Sequence, residues 1–386
     1  MSTRRLLMIP GPIELEPDVL STMAEKQLSH VDPDFIETFG RTLGRVREVF
    51  LAPKSQPFVI SGSGTLAMEV ALHAILEPND KVLVVDTGWF SERMANMVSR
   101  VGAEATRVRA QPGSTPDLAE VERLLSSGGF RAVTITHVDT STGVRAPVRE
   151  VAALANRYGV LSVVDGVCSV GGEQLETGDW GVDIALTASQ KALGAPPGLA
   201  VLVFSERALE RYRGRKSRVP SLYLDIGEWL PIMQAYESRK PAYFATPAVN
   251  LVSALDTSLA KLVAEGMAQR VARHRKMASA FHAAFSALGL TLLAQPEVAS
   301  STISAVYYPE GVDASLVQAM RDEGIVMAGG LHPDLKTKYF RIGHMGSISA
   351  SDALATIGAL ERSLIKLGAK IDAGAGVAAA QRIVLG

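Results

Sequence analysis

The chain has 386 residues, too many for one compact core, so two or three domains are expected. Hydrophobic residues make up 47% and charged residues 20%, which argues against disorder and against a fibrous fold. The 39 basic and 40 acidic side chains leave a formal charge of −1, so no basic field is available to hold nucleic acid or an anionic membrane, and a small neutral or zwitterionic partner fits better.

The N-terminus starts basic and turns apolar only from Leu6 to Ile9, before Pro10 and Pro12. That stretch is too short for a signal-peptide core or a transmembrane helix, and no later run is long enough to span a membrane. The single cysteine, Cys168, excludes an intrachain disulfide. A soluble, cytoplasmic protein is expected.

Short, mostly apolar runs at 57–60, 81–86, 132–137, 161–165, 184–187 and 199–204 predict strands buried on both faces of a mainly parallel sheet. Between several of them, residues 65–76, 91–101 and 148–158 carry apolar side chains at three- and four-residue spacing and predict helices. The alternation argues an α/β domain. Residues 207–247, rich in Arg, Lys, Pro and aromatics, break the rhythm and predict irregular structure with short helices. A long helical pattern then runs from 249 to 288 with Gly266 inside it. After Gly289 the texture predicts a strand at 302–307, a helix at 314–323, a strand-like stretch at 324–328 and a last helix at 351–367, which together suggest a smaller α+β domain. The tail after Lys370 suggests no role.

Lys191 falls between two predicted strands, in a turn pinned by Gly194, Pro196, Pro197 and Gly198. A lysine there is either solvated or, where burial lowers its pKa, able to form a Schiff base. Asp165 closes the run LSVVD. A carboxylate at the C-terminal end of a buried strand points into the crevice where α/β proteins bind ligands, although an Asx-turn before Gly166 is the plainer alternative. Together the two residues point to pyridoxal 5′-phosphate (PLP), whose pyridine nitrogen stays protonated beside an aspartate. Ser61-Gly62-Ser63-Gly64-Thr65 runs from a predicted strand into a helix and suits a phosphate cup, or simply a capped helix start. It has neither the Walker A order nor the GxGxxG order. Arg341, in KYFRIGHMG, is either structural or a clamp for a substrate carboxylate. His344 reads as structural, and His137 is ambiguous. No metal site is expected.

The sequence resembles the class V, fold-type I PLP aminotransferases, in particular the alanine–glyoxylate and serine–glyoxylate group. The resemblance rests on PGPIELEP (10–17), SGSGT (61–65), THVDTSTGV (136–144), VVDGVCSVGG (163–172), DWGVDIALTASQKALGAPPGL (179–199), YFATP (243–247) and KYFRIGHMG (338–346). It implies a large PLP-binding α/β domain at 16–265, a small C-terminal α+β domain at 266–386, and an N-terminal segment, 1–15, over the active site. Lys191 would carry PLP as a Schiff base, and Gln190 would help seat the phosphate in a cup of Ser63, Gly64 and Thr65. Asp165 would pair with the pyridine nitrogen, Val167 would pack near the ring, and Thr140 would lie near the ring oxygen. Phe90, with Trp89 as the adjacent candidate, would stack on the ring. Arg341 would clamp the substrate carboxylate, assisted by Ser169 and the backbone near Gly11. In a homodimer with shared active sites, Tyr243 and Thr246 would reach the partner's phosphate. The related cysteine desulfurases need a reactive loop cysteine in the C-terminal half, whereas Cys168 reads as a packing residue beside the cofactor. The implied reaction is transamination of a small amino acid with glyoxylate to give a 2-oxo acid and glycine. The apolar run Leu7 to Gly11 favours alanine, giving pyruvate. Serine or ureidoglycine as donor, another PLP reaction such as β-elimination, and a PLP-binding regulator without turnover are the alternatives.

Overall fold

The computed structural model describes residues 5–386; the basic start of the N-terminal segment, residues 1–4, lies outside them. Seven strands form one sheet in the order Gln56–Ser61, Leu199–Phe204, Ile184–Ala188, Leu161–Asp165, Phe130–Thr136, Lys81–Asp86, Glu104–Arg109. Leu199–Phe204 alone runs antiparallel to its neighbours; all other pairings are parallel. The central strands are buried along their whole length, as expected of a sheet covered by helices on both faces. Asp165 sits in the middle of the sheet, opposite Thr136 on one side and Leu186 on the other.

The predicted strands and helices of this sheet region are present to within a few residues at each end. One strand of this sheet lies outside the predicted runs. Glu104–Arg109, EATRVR, buries only Val108 and pairs only with Lys81–Asp86. Edge strands carry charges that keep them from pairing further, so the hydrophobic pattern that marks the inner strands is missing there.

The long helix expected over 249–288 is two helices, Val249–Glu265 and Met267–Ala287. Gly266 separates them with φ +79°, a left-handed conformation that ends a helix. The apolar pattern continues across the break because both helices bury a face, so periodicity alone joined them. The stretch 207–247 holds the helix Ile226–Glu237 and all but the first residue of the helix Glu206–Arg213.

Two large hydrophobic clusters result. One collects side chains from Phe35 to Leu262 around the seven-stranded sheet. The other joins Met277–Leu290, the three-stranded sheet Ile303–Tyr307, Tyr339–Gly343 and Ala328–Gly329, and the helix Ala350–Lys366. Met8 from the N-terminal segment is fully buried in the second cluster, and Leu6–Leu7 pairs in parallel with Ile325–Val326. The tail has a place after all. Ala375–Leu385 is a helix that packs against Met267–Ala287, with Ala380 buried, and the Glu361 carboxylate accepts the N–H groups of Gly374, Gly376 and Val377 at its start. Its Ala- and Gly-rich sequence carries too weak an amphipathic signal to be seen without that partner. No helix among the described residues is long and apolar enough to cross a membrane.

Candidate active site

The parallel strands end on one side of the sheet, and the chemistry-bearing residues lie at those ends. Asp165 is the last residue of its strand, Lys191 follows Ile184–Ala188, the SGSGT turn begins at the last residue of Gln56–Ser61, Phe90 follows Lys81–Asp86, and Thr140 follows Phe130–Thr136. Ligands bind in this crevice in open α/β sheets.

Lys191 lies under the N-terminal segment. Its Nζ donates to the Pro10 carbonyl at 2.5 Å. A Cβ on Gly11 would stand 2.6 Å from Lys191 Cδ and 2.7 Å from Nζ, and Gly11 has φ +121°. Only glycine lets the backbone approach the lysine this closely. The Ile13 N–H donates to the Gln190 carbonyl at 3.2 Å, which ties the segment to the lysine turn.

Asp165 is buried, and its Oδ1 accepts the Val167 N–H at 3.0 Å. Among the described residues its second oxygen accepts no hydrogen bond. Burial pushes its pKa up to about 7; the Val167 N–H opposes that, Asp139 adds to it, and the charges of Lys191 and Arg93 oppose it. A cationic ring nitrogen at the free oxygen would favour the ionised form.

Ser63 is the N-cap of helix Gly64–Ile75, its Oγ accepting the Leu66 N–H at 3.5 Å. The N–H groups of Gly64 and Thr65 have no acceptor among the described residues, and the Ser63 and Thr65 side chains are exposed. Such a helix start is an anion site. Gly64 packs so closely that a Cβ would come within 2.9 Å of Val167 Cγ2 and 3.3 Å of Ala188 Cβ. Gln190 Oε1 and Ser169 Oγ are buried without a hydrogen-bond partner. The free carboxylate oxygen, the open helix start and these unpartnered groups fit PLP: Lys191 and Asp165 would hold the ring, and residues 63–65 the phosphate.

Arg341 comes from the other sheet. Strand Tyr339–Gly343 sets it opposite Ala305 and Ala328. Its Nε donates to the Gly329 carbonyl at 2.8 Å and Nη1 to the Thr140 carbonyl at 3.3 Å. Nη2 has no acceptor among the described residues, so part of the fork is open to a carboxylate. Burial lowers its pKa, yet an arginine keeps its charge. Thr140 Oγ1 lies 2.8 Å from Cys168 Sγ, and Cys168 is buried behind it. His344 is spent on structure: Nε2 meets Ser304 Oγ at 2.9 Å, Nδ1 faces the Ser301 carbonyl at 3.1 Å, and the ring stacks on Phe281. His137 is buried with Nδ1 unpartnered, and burial pushes its pKa down to about 3, so the ring is neutral.

The Phe90 and Ser91 N–H groups, and the Ser141 N–H and hydroxyl, donate to the buried Asp139 carboxylate, which locks the turn carrying Phe90 against the turn carrying Thr140. Trp89 lines a neighbouring polar cavity of about 450 Å³ with Arg107, Arg109 and His332. Tyr243 and Thr246 are exposed at the surface, Tyr243 against His30. They contribute nothing to the site of their own chain that the structure records.

Two residues of the site went unread in the sequence. One is Asp139. The other is Arg270, 4% exposed, whose Nε donates to the Gly171 carbonyl at 2.7 Å and Nη2 to the Ala192 carbonyl at 2.8 Å, while Nη1 pairs with Glu265 at 2.8 Å. One guanidinium thus ties the turn after Asp165 to the turn after Lys191. The only local sign was an arginine on the buried face of its helix.

The Aminotransferase class-V family model matches residues 19–351. Alanine–glyoxylate aminotransferase 1 of Saccharomyces cerevisiae is 40% identical over 88% of this chain and 91% of that protein. The L-aspartate–glyoxylate aminotransferase of Paracoccus denitrificans is 35% identical over 99% of this chain and 96% of that protein. The crystal structure of ureidoglycine–glyoxylate aminotransferase from Bacillus subtilis superposes with a TM-score of 0.93 at 27% identity, covering 100% of this chain and 99% of that one. With its strand-end lysine and aspartate, its open helix start after Ser63 and this match over most of its length, the chain belongs to the class V aminotransferases and is a PLP-dependent enzyme of fold type I.

Proposed function

We propose that the protein transfers the amino group of a small amino acid to glyoxylate, with alanine preferred to serine, giving a 2-oxo acid (pyruvate from alanine) and glycine. Three relatives whose names include glyoxylate support the acceptor. The observation that carries the donor is that two of the three side chains that could meet a serine hydroxyl, His344, Tyr223 and the exposed Tyr243, are already engaged. His344 has both ring nitrogens engaged, and Tyr223 already donates to the Ser61 carbonyl at 2.8 Å. A hydroxyl without a partner costs binding on desolvation, whereas a methyl group does not.

In this reading Arg341 Nη2 binds the substrate carboxylate, with Ser169 Oγ and the backbone at Gly11 assisting. Asp165 holds a proton at the pyridine nitrogen, Val167 and Phe90 bracket the ring, Thr140 lies by the ring oxygen, and Gln190 joins Ser63, Gly64 and Thr65 at the phosphate. Trp89 faces its own cavity, which favours Phe90 for the ring. When bound, the cofactor supplies the electron sink for the pair left behind when the Cα proton departs. Lys191 Nζ removes that proton as a positioned amine, and the Pro10 carbonyl orients it. The segment from Pro10 to Ile13 lies over the lysine and restricts water. Residues 16–265 form the cofactor-binding unit and 266–386 the smaller one, in keeping with the two hydrophobic clusters, and residues 1–15 form the cover.

The test is kcat/KM for L-alanine, L-serine and L-aspartate at saturating glyoxylate. L-Alanine is expected to exceed L-serine by roughly tenfold, the discrimination that one methyl-sized difference allows. A serine or aspartate value tenfold above alanine overturns the donor.

We further propose a homodimer in which Tyr243 and Thr246 complete the partner's phosphate site. Both are exposed, and Tyr223 and Leu222 add apolar surface, Leu222 being 66% exposed. Mixing the inactive Lys191→Ala protein with an inactive Tyr243→Ala/Thr246→Ala protein should restore activity, because one of the two composite sites in the mixed dimer is intact. A fully active species that sediments as a monomer contradicts this.

A further inference from the structure

The phosphate cup lacks a full positive charge. Ser61 to Thr65 offers N–H groups and hydroxyls but no lysine or arginine. A helix N-terminus contributes only about half an elementary charge, and a phosphate monoester carries nearly two negative ones. Arg93 stands one helical turn beyond Phe90, in helix Trp89–Arg100. Its Nη1 lies 3.4 Å from Thr65 Oγ1, and its Cζ lies 4.8 Å from the centre of the Phe90 ring. Among the described residues no carboxylate pairs with it. Arg107 and Arg270, the arginines that brace the neighbouring strand and turns, hold Asp86 and Glu265. Burial raises the pKa of Asp165, and Arg93 is among the charges that pull it back down, so the guanidinium is close enough to act on the centre of the site.

We propose that Arg93 is the cationic ligand of the cofactor phosphate. The fork reaches the cup from the Phe90 side, with Thr65 as its first contact, and its remaining N–H groups are donors for phosphate oxygens. The Phe90 ring, 4.8 Å from Arg93 Cζ, holds the guanidinium near the edge of the cup, so the aromatic platform and the phosphate site form one unit. The proposal rests on the placement of the phosphate at residues 63–65.

The test titrates the apoprotein with PLP and, separately, with pyridoxal, which lacks the phosphate, and reads the dissociation constants from protein fluorescence. Arg93→Gln is expected to weaken PLP by about ten- to a hundredfold, the range of a charge-assisted hydrogen bond, and to leave pyridoxal unchanged. Arg93→Lys keeps the charge without the fork and should fall between. Should Arg93→Gln fail to fold, the lysine variant carries the test through the same comparison of the two ligands. Equal losses for PLP and pyridoxal mean that Arg93 only props Phe90, and an unchanged PLP constant means it is no ligand; either result overturns the proposal. A Gly64→Val variant separates the underlying placement from the proposal: if it too leaves the preference for PLP over pyridoxal intact, the phosphate lies elsewhere and the cup reading fails first.

Discussion

Lys191→Ala should abolish transamination, by several orders of magnitude, while still binding PLP without a covalent bond. Two functions are lost at once. On the proposed roles, the variant lacks both the amine that would carry the cofactor and the base at the substrate Cα. The fold should survive. Lys191 is half-buried at the mouth of the sheet, and the one hydrogen bond its amine makes is to the Pro10 carbonyl. Borohydride reduction of the unmodified holoenzyme, followed by peptide mapping, should find the label on Lys191. A label on any other lysine ends the assignment. An added small amine that restores a measurable rate to Lys191→Ala would show that the base, and not only the anchor, resides in this side chain.

Asp165→Asn should lose turnover by orders of magnitude and yet make the apoprotein more stable at neutral pH. The catalytic loss follows because an amide cannot keep the pyridine nitrogen protonated, and the unprotonated ring is a poor electron sink. The stability gain follows from the sign of the pKa shift. Burial raises the Asp165 pKa from an ordinary carboxylate value to about 7 in the folded apoprotein. Between those two pH values the folded state binds the proton and the unfolded state does not, so stability falls as pH rises through that window. Each pH unit is worth about 1.4 kcal/mol, which sets an upper bound of roughly 4 kcal/mol above pH 7. Asparagine, neutral at every pH, escapes that penalty. Melting curves of the two apoproteins should therefore coincide near pH 4 and separate by pH 8, with the variant higher. Bound cofactor should close the gap, since a cationic ring nitrogen favours the carboxylate. Near wild-type turnover removes Asp165 from the mechanism, and a lower melting temperature for apo Asp165→Asn at pH 8 removes the burial argument.

Much of this was readable from sequence because the signals are local. The inner strands are continuous apolar runs, the helices between them have an apolar face, and Asp165 and Lys191 each stand at or just past the end of such a run. The cup, Ser61 to Thr65, needs only a strand, small residues and a helix start, all contiguous. The break at Gly266 turned on one backbone angle that a helical apolar pattern does not encode. Edge strand Glu104–Arg109 and tail helix Ala375–Leu385 are defined by what they pack against, and their own patterns are weak. The site itself was divided in the same way. The residue types proposed for the chemistry, a lysine and an aspartate at strand ends and a small-residue turn before a helix, are local features of the chain. That Pro10 and Gly11 lie on Lys191, that Arg341 reaches Thr140 from the second sheet, that Arg270 joins the turns after Asp165 and Lys191, and that Arg93 meets Thr65 across Phe90 are contacts between residues far apart in sequence. Such contacts leave no periodic trace, because they depend on how whole elements pack and not on the order of residues within any one of them.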